Sequence, residues 1–354
     1  MISQQNIIER GATLRSALGQ LNDLSGSDMT LFVVDSTDTL RLLGTLTNGD
    51  VRRALLNGTT LDENVTVAMH TGFKRLRAGS NDNVDRIRDI RDMGIRLVPV
   101  VSEDGVLTDI IDLNRTQTLL PLSAILMAGG KGERLRPMTL TTPKPLLEVG
   151  GKAIIDYNVE ALARSGITDI TVAAGYLADV IQTHFAEPVA GVAVKCVVED
   201  RPLGTIGAAT LVSRSPEGNT LVMNSDLLTT VSFEDMYMKH RSLDADVTVG
   251  VIPYQVSVPY AILTTDGDDV RSIKEKPAFS HYANAGIYIF SNKLLNTLPE
   301  GVRTDATELI EQAIEDGRRV VYHVINGTWI DIGSPIDFRQ AQELMRHHRN
   351  MLKN

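Results

Sequence analysis

The chain changes habit between Thr116 and Ser123, and that change limits what it can fold into more than any other feature. Beyond it, short apolar runs alternate with helical periods. Strands are predicted over 124–128, 167–173, 192–198, 220–223, 246–252 and 320–324, and helices over 154–165, 178–185, 205–213 and 233–242. Buried strands separated by helices form a mainly parallel sheet with helices on its faces. A last helix is predicted over 335–352, with Ser334 as cap and Pro335 at the first position.

Before the change the chain carries two strand-turn-strand units. The first runs 31–35 and returns over 42–50; the second runs 97–101 and returns over 106–112. Each follows a helix, over 13–24 and 83–93, the latter with Val84, Ile87, Ile90 and Met93 at helical spacing. Such an internal repeat, about sixty residues long, is expected to pack face to face. The expected organisation is an α+β pair over 1–118 and a Rossmann-like, mixed but mainly parallel α/β domain with a C-terminal helix over 119–354.

Acidic side chains outnumber basic ones 44 to 35, a formal net charge of −9. Sequence-independent nucleic-acid binding needs a basic face to neutralise phosphates, so nucleic acid is not an expected partner. The single cysteine, Cys196, can close no internal disulfide and supplies no thiolate cluster. No run approaches the ~18–20 apolar residues of a membrane helix, and Met1 to Arg10 holds no long apolar stretch. A cytoplasmic protein without a membrane partner is expected.

The strongest local signal is Leu126-Met127-Ala128-Gly129-Gly130-Lys131-Gly132-Glu133-Arg134-Leu135-Arg136-Pro137, at the exit of the first strand of the α/β region. The carboxyl ends of such strands line ligand sites. Glycines let backbone N–H groups approach phosphate oxygens, and Arg134 adds a permanent planar cation. A dinucleotide fingerprint would need a glycine at Leu135. A P-loop would need Ser or Thr at Ala153 and glycine at Leu146. If the loop binds phosphate, it uses another scheme.

With Pro143-Lys144-Pro145-Leu146-Leu147 downstream, this loop resembles that of the sugar-1-phosphate nucleotidyltransferases, over about Leu122 to Phe338. The resemblance implies transfer of a nucleotidyl group from a triphosphate to a sugar 1-phosphate, with Mg²⁺ and release of pyrophosphate. Negative charge then gathers on the α-phosphate and the leaving group, so positioning and electrostatics carry most of the rate. Arg134 and Lys144 are the catalytic cations it implies. Ala128, Gly129, Gly130 and Gly132 with Glu199, Pro202, Gly204 and Thr205 would hold the nucleotide. Glu275, Lys276, Asn284 and Gly286 would hold the sugar phosphate. Asp226 and Asp331 would hold the metal, since Mg²⁺ takes one or two carboxylates plus phosphate and water oxygens.

Glu199 bears on the base. Relatives using UTP or dTTP usually place an amide there, whereas guanine presents N1–H and N2–H₂ side by side, two donors for one carboxylate. Lone readings of these residues remain open: a surface lysine at Lys144, Asx turns or helix caps at Asp226 and Asp331, a hairpin-end charge pair at Glu275 and Lys276, a solvent-facing Glu199.

The N-terminal repeat resembles a pair of cystathionine β-synthase-type (CBS) domains. Gly44-Thr45-Leu46-Thr47-Asn48-Gly49-Asp50 matches the return that binds nucleotide, so the resemblance implies Thr47 and Asp50 on an adenine nucleotide. Asp112 and Arg115 occupy the equivalent places in the second unit. The pair could instead only assemble a homo-oligomer, and Thr47 and Asp50 could simply cap the helix starting near Val51.

These readings lead to a sugar-1-phosphate guanylyltransferase using GTP and a hexose 1-phosphate, glucosamine 1-phosphate before mannose 1-phosphate. A uridylyl- or thymidylyltransferase is the alternative within the family, and a nucleotide-sensing regulator with an inactive transferase half is the alternative outside it. Nineteen residues follow Pro335, so the appended acyltransferase domain of some relatives is not expected.

Overall fold

The computed structural model describes residues 4–24, 29–80 and 82–351. The chain up to Pro121, joined by Arg164–Gly166, is one compact unit; Leu122–Ala163 and the chain from Ile167 onward form the other.

The first unit contains β1 (Ile7–Glu9), α1 (Leu14–Asp23), β2 (Thr30–Val34), β3 (Leu42–Thr47), α2 (Asn48–Leu56), β4 (Leu76–Arg77), α3 (Asn83–Asp92), β5 (Leu97–Val101) and β6 (Leu107–Asp112). Each half forms a three-stranded sheet, β1-β2-β3 and β4-β5-β6, with a parallel first pair and an antiparallel second pair. The entry strands β1 and β4 are too short to register as periodic runs, yet they complete the repeat. Successive residues of a strand face opposite ways. In β2, Leu31 and Val33 join Leu14, Ala17 and Leu21 of α1, while Phe32 and Val34 pack with Val101 and Leu107 of the second sheet. The two sheets therefore meet face to face.

The second unit adds β7 (Leu122–Ala128), β8 (Glu148–Val149), β9 (Lys152–Ala153), α4 (Ile154–Arg164), β10 (Ile170–Ala174), α5 (Ala178–His184), β11 (Lys195–Val198), β12 (Asn219–Asn224), β13 (Leu227–Thr229), α6 (Phe233–Ser242), β14 (Val247–Ser257), β15 (Ile262–Asp266), β16 (Asp269–Lys274), β17 (Ala278–Ser291), α7 (Asn292–Leu295), α8 (Ala306–Glu315), β18 (Val320–Val324), β19 (Trp329–Asp331) and α9 (Pro335–Met351). The predicted last helix matches α9 as far as Met351; Leu352 lies outside the described residues. Its central sheet has the order β11-β10-β7-β12-β17-β14-β18. The four strands from β11 to β12 run parallel, β17 is antiparallel to both its neighbours, and β18 is parallel to β14. One face packs Ile125, Val222, Val247, Tyr288 and Phe290 against Leu294 and Leu295 of α7 and Leu309 and Ala313 of α8.

The order of strands locates the site. From β7 the chain moves outward through β10 to β11, then crosses to β12 on the other side of β7. Such a reversal opens a crevice beyond the carboxyl ends of the two strands. The glycine-rich loop leaves β7 there, and Asp226 leaves β12 there.

One expectation needs correction, and one segment carried none. The helix expected over 205–213 is a single 3₁₀ turn, Gly207–Leu211. Backbone bonds from Thr304 to Leu203 (3.0 Å) and from Ile206 and Gly207 to Thr304 (both 3.2 Å) hold the segment against the chain entering α8, which stops a full helix. Residues 253–282, to which no strand or helix was assigned, form a long two-stranded ribbon, because β14 and β17 run past the sheet and β15 and β16 continue them. No described helix is long and apolar enough to cross a membrane.

Candidate active site

Three strand exits meet at Gly129. The Gly129 carbonyl accepts from the Tyr176 N–H at 3.3 Å, just past β10, and a Cβ on Gly175 would lie 3.0 Å from that same oxygen. A Cβ on Gly129 would sit 2.5 Å from Oε1 of Glu199, just past β11. The glycines here are therefore steric requirements of close strand exits. Gly130 differs: it faces open space. Gly132 is left-handed (φ 59°), and a Cβ there would meet Thr139 at 3.0 Å and the Lys144 side chain at 3.1 Å. The Thr139 hydroxyl donates to the Gly132 carbonyl at 2.8 Å, and Leu135 anchors the loop in the core.

Glu199 thus lies against the glycine-rich loop and does not face bulk solvent alone. Its Oε2 accepts from the Leu203 N–H at 3.0 Å. Burial pushes its carboxyl above the usual range, partly offset by that bond.

Lys144 stands between two carboxylates. Its ammonium pairs with Asp226, and Oδ1 of Asp331 is 3.6 Å away. The aspartates come from segments a hundred residues apart and are aligned by a short ladder in which Leu227 of β13 is opposite Asp331 of β19. The Ile332 N–H donates to the Asp226 carbonyl at 3.2 Å. Burial raises the Asp331 carboxyl, and the Asp226 charge raises it further, against lowering by Lys144 and Arg134. The Arg134 guanidinium packs on Gly333, where a Cβ would be 3.1 Å from Nη2. Arg134, Lys144, Asp226 and Asp331 therefore form one electrostatic cluster.

Ser225, Asn158 and Asn224 escaped the sequence reading. Ser225 donates through Oγ (2.6 Å) and N (3.2 Å) to the Met127 carbonyl, tying the end of β12 to the end of β7. Buried Asn158 of α4 donates to the Ser225 carbonyl at 3.2 Å. Gly286 (φ 69°) leaves room for Asn224, whose Nδ2 would be 2.5 Å from a Cβ there. Of these, only the polar run Asn224-Ser225-Asp226 after an apolar strand was visible as a signal. Gly175 and Tyr176 had the same signal as Gly129, a glycine at a strand exit.

The other expected residues divide. Asn284 accepts from the Gly286 N–H at 3.0 Å and donates to the Tyr288 hydroxyl at 2.8 Å. Thr205 is occupied by the fold: its N–H donates to Asp305 at 3.0 Å and its hydroxyl accepts from the Ala306 N–H at 2.8 Å. Gly204 (φ 81°) abuts the Thr304 carbonyl, and Pro202 is exposed. Glu275 and Lys276 are exposed on the ribbon, their side chains without a hydrogen bond or ion pair to any described residue, and Lys276 holds a left-handed φ of 41°. In the first unit Thr47 and Asp50 form a reciprocal capping box at the start of α2, with Arg53 on the remaining Asp50 oxygen. They also line a cavity of about 550 Å³ with Thr45, His70, Lys74 and Arg96.

Residues 123–348 match the nucleotidyl transferase family. Over 226 residues the chain is 31 % identical to the mannose-1-phosphate guanylyltransferase catalytic subunit beta of Danio rerio, covering 61 % of this chain and 62 % of that protein. Over 231 residues it is 29 % identical to the D-glycero-alpha-D-manno-heptose 1-phosphate guanylyltransferase of Aneurinibacillus thermoaerophilus, covering 64 % of this chain and 100 % of that one. Among solved structures, a Bacillus anthracis chain assigned as a glucose-1-phosphate thymidylyltransferase, in complex with a sucrose, superposes with a TM-score of 0.50 at 25 % identity, over 64 % of this chain and 95 % of that one. The mixed α/β sheet, the reversal of strand order at β7 and the match over 123–348 agree: the chain belongs to the nucleotidyl transferase family.

Proposed function

We propose that the chain is a sugar-1-phosphate guanylyltransferase, joining GTP and a hexose 1-phosphate to give a GDP-sugar and pyrophosphate. The observation that carries this reading is the cluster of Lys144, Asp226, Asp331 and Arg134 at the switch between β7 and β12, beside a loop on which Glu199 rests. An oxygen of the sugar phosphate attacks the α-phosphorus and the bond to the β-phosphate oxygen breaks. The nucleophile is already an anion, so no general base is required. Arg134 and Lys144 offset the charge that develops on the α-phosphate and the leaving pyrophosphate. Glu199 offers a carboxylate to the paired donors of guanine.

Asp226 and Asp331 suit a divalent cation. Two partly buried carboxylates share one ammonium, and the Asp226 charge disfavours ionisation of Asp331, so the pair gains from a second positive charge. Among the described residues no group of three or more His, Cys, Asp or Glu is arranged as a metal site. Two carboxylates completed by phosphate oxygens is a set that Mg²⁺ accepts. When bound, the ion neutralises phosphate charge.

The named relatives act on mannose and heptose 1-phosphates, so a manno-configured acceptor now precedes glucosamine 1-phosphate, the first expectation from sequence. A pyrophosphate-release screen of four triphosphates against a panel of hexose 1-phosphates tests the whole reading. GTP with mannose 1-phosphate is expected to exceed the other triphosphates by at least tenfold; equal or greater turnover with UTP or dTTP would overturn the guanine assignment.

For the first unit we infer a CBS pair that takes an adenine nucleotide. The cavity beside Thr47 and Asp50 brings Arg53, Lys74, Arg96 and His70 to one place, a set suited to phosphate. Calorimetry of the full chain with ATP, ADP and AMP checks it, and heat from none of them would leave assembly as the role of the pair.

A further inference from the structure

α4 carries an amide on its covered stripe. Its buried positions are Ile154, Ile155, Asn158, Val159 and Leu162, the spacing of an apolar helical face. Asn158 stands where that pattern calls for an aliphatic residue, and it is only 2 % exposed. A buried amide costs free energy unless its polar atoms are met, so asparagine at this place needs a reason beyond packing. Its side-chain N–H donates to the Ser225 carbonyl at 3.2 Å, and Ser225 is itself buried.

That carbonyl belongs to the peptide unit that enters Asp226. The unit is planar, so a bond that holds its oxygen also constrains the N and Cα of Asp226. On the other side of that Cα, the Asp226 carbonyl accepts from the Ile332 N–H at 3.2 Å, one residue past Asp331. Both peptide units flanking Asp226 are therefore held from outside β12, one by α4 and one by the segment of the second aspartate. The Ser225 hydroxyl, donating to the Met127 carbonyl at 2.6 Å, ties the same turn to the end of β7. α4 is in turn registered on the loop of Lys144. Its first N–H, that of Ile154, donates to the Leu147 carbonyl, and the Leu147 N–H donates to the Lys144 carbonyl, both at 3.1 Å. One helix thus connects the backbone of Lys144 with that of Asp226, and Asn158 makes the second of the two contacts.

We propose that Asn158 is a positioning residue, which sets the backbone of Asp226 so that its carboxylate is presented to Lys144 and, with Asp331, to a divalent cation. This rests on the reading of Asp226 as a metal-holding group in nucleotidyl transfer. Buried as it is, Asn158 offers nothing to a substrate, and its effect on turnover passes through Asp226. Without its bond the Ser225–Asp226 peptide unit can turn, and the carboxylate spreads over several orientations. A misplacement of about 1 Å in a reacting group costs on the order of 10²-fold in rate.

The test uses the full chain. Asn158→Leu keeps the shape of the side chain while replacing the amide by two methyl groups, and it is measured alone and together with Asp226→Asn. Alone it is expected to lower kcat/KM by about 30- to 100-fold. In the Asp226→Asn chain its added cost is expected to stay under about threefold, because the carboxylate it serves is gone. Equal costs in the two backgrounds would reveal a purely structural role and overturn the proposal. A second readout needs no turnover: binding of Mn²⁺ with GTP in the absence of sugar phosphate, followed by the electron paramagnetic resonance signal of Mn²⁺. It is expected to weaken about tenfold in Asn158→Leu, about one decade of affinity; unchanged binding would also overturn the proposal. Were Asn158→Leu unable to fold, Asn158→Ala supplies both measurements. An unchanged chain that binds Mn²⁺ with none of the four triphosphates, or Asp226→Asn at full rate, would remove the metal reading and the inference with it, a result distinct from equal costs in the two backgrounds.

Discussion

Oε1 of Glu199 occupies the space that a Cβ on Gly129 would enter, 2.5 Å from it. The residue proposed to read the base and the first glycine of the proposed phosphate loop are thus in direct contact. Gly129→Ala is expected to keep the fold, since the opposing group is the flexible end of a side chain, but to displace Glu199 and lower kcat/KM for GTP about tenfold or more. Glu199→Gln is expected to narrow the preference for GTP over UTP and dTTP at little cost in stability. Steady-state kinetics with three triphosphates checks both, and an unchanged ratio in Glu199→Gln would remove the base-reading role.

Lys144 is held by Asp226 and lies 3.6 Å from Asp331, so removal of either end of the pair alters the cluster in opposite ways. Lys144→Ala leaves two half-buried carboxylates facing each other and is expected to lower both the melting temperature and turnover. Asp226→Asn keeps the shape and is expected to retain the fold. Each should cost about 10³-fold in kcat/KM, about 4 kcal/mol of transition-state stabilisation. More than a tenth of the original rate in either variant would refute the assigned roles.

His240 of α6 is buried, with ring nitrogens bonded to Thr248 Oγ1 at 2.9 Å and Asn219 Oδ1 at 3.1 Å. Burial lowers its pKa from 6.5 to about 4, against smaller raising effects of Asp246 and Asp244. The unfolded chain therefore binds a proton that the folded chain refuses between those values. The stability from neutral His240 is complete above about pH 6.5 and is lost as pH falls towards about 4, on the order of 3 kcal/mol in all. Urea unfolding at several pH values should show a stability gap between the unchanged chain and His240→Gln that shrinks by about that amount on acidification. A constant gap would show that the ring is not neutral in the fold.

Gly204 and Gly130 differ in what surrounds them. At Gly204 φ is 81° and a Cβ would lie 2.4 Å from the Thr304 carbonyl oxygen; at Gly130 no neighbour lies within 4 Å. Gly204→Ala is expected to destabilise by about 1–3 kcal/mol, and Gly130→Ala to stay within about 0.5 kcal/mol. Thermal unfolding of the two variants side by side measures the contrast.

What could be read from the sequence was local. The glycine-rich loop, the run ending in Asp226 and the segment around Asp331 each carry their signal within a dozen residues, and strand order then brings them together. The contacts of Thr205 within the fold could not be read, because the group that engages its N–H, Asp305, is a hundred residues away. Its hydroxyl caps the start of α8, a helix that the sequence reading did not list although Asp305 and Glu308 form a capping box there. The ribbon was hidden for a different reason. Alternation along residues 262–274 announces a half-covered strand, but not that the cover is missing from its own unit. Glu275 and Lys276 therefore stand in solvent.

The crowding of three strand exits around Gly129 also bears on how such a protein could change its nucleotide. Gly129 touches both Gly175 and Glu199, so a new side chain at either of these is felt at Gly129. A library that randomises only the proposed base-reading position, Glu199, would sample fewer productive chains than one that varies it jointly with Gly129 and Gly175. Drift from one triphosphate to another would then proceed by covariation of neighbours, with single steps penalised.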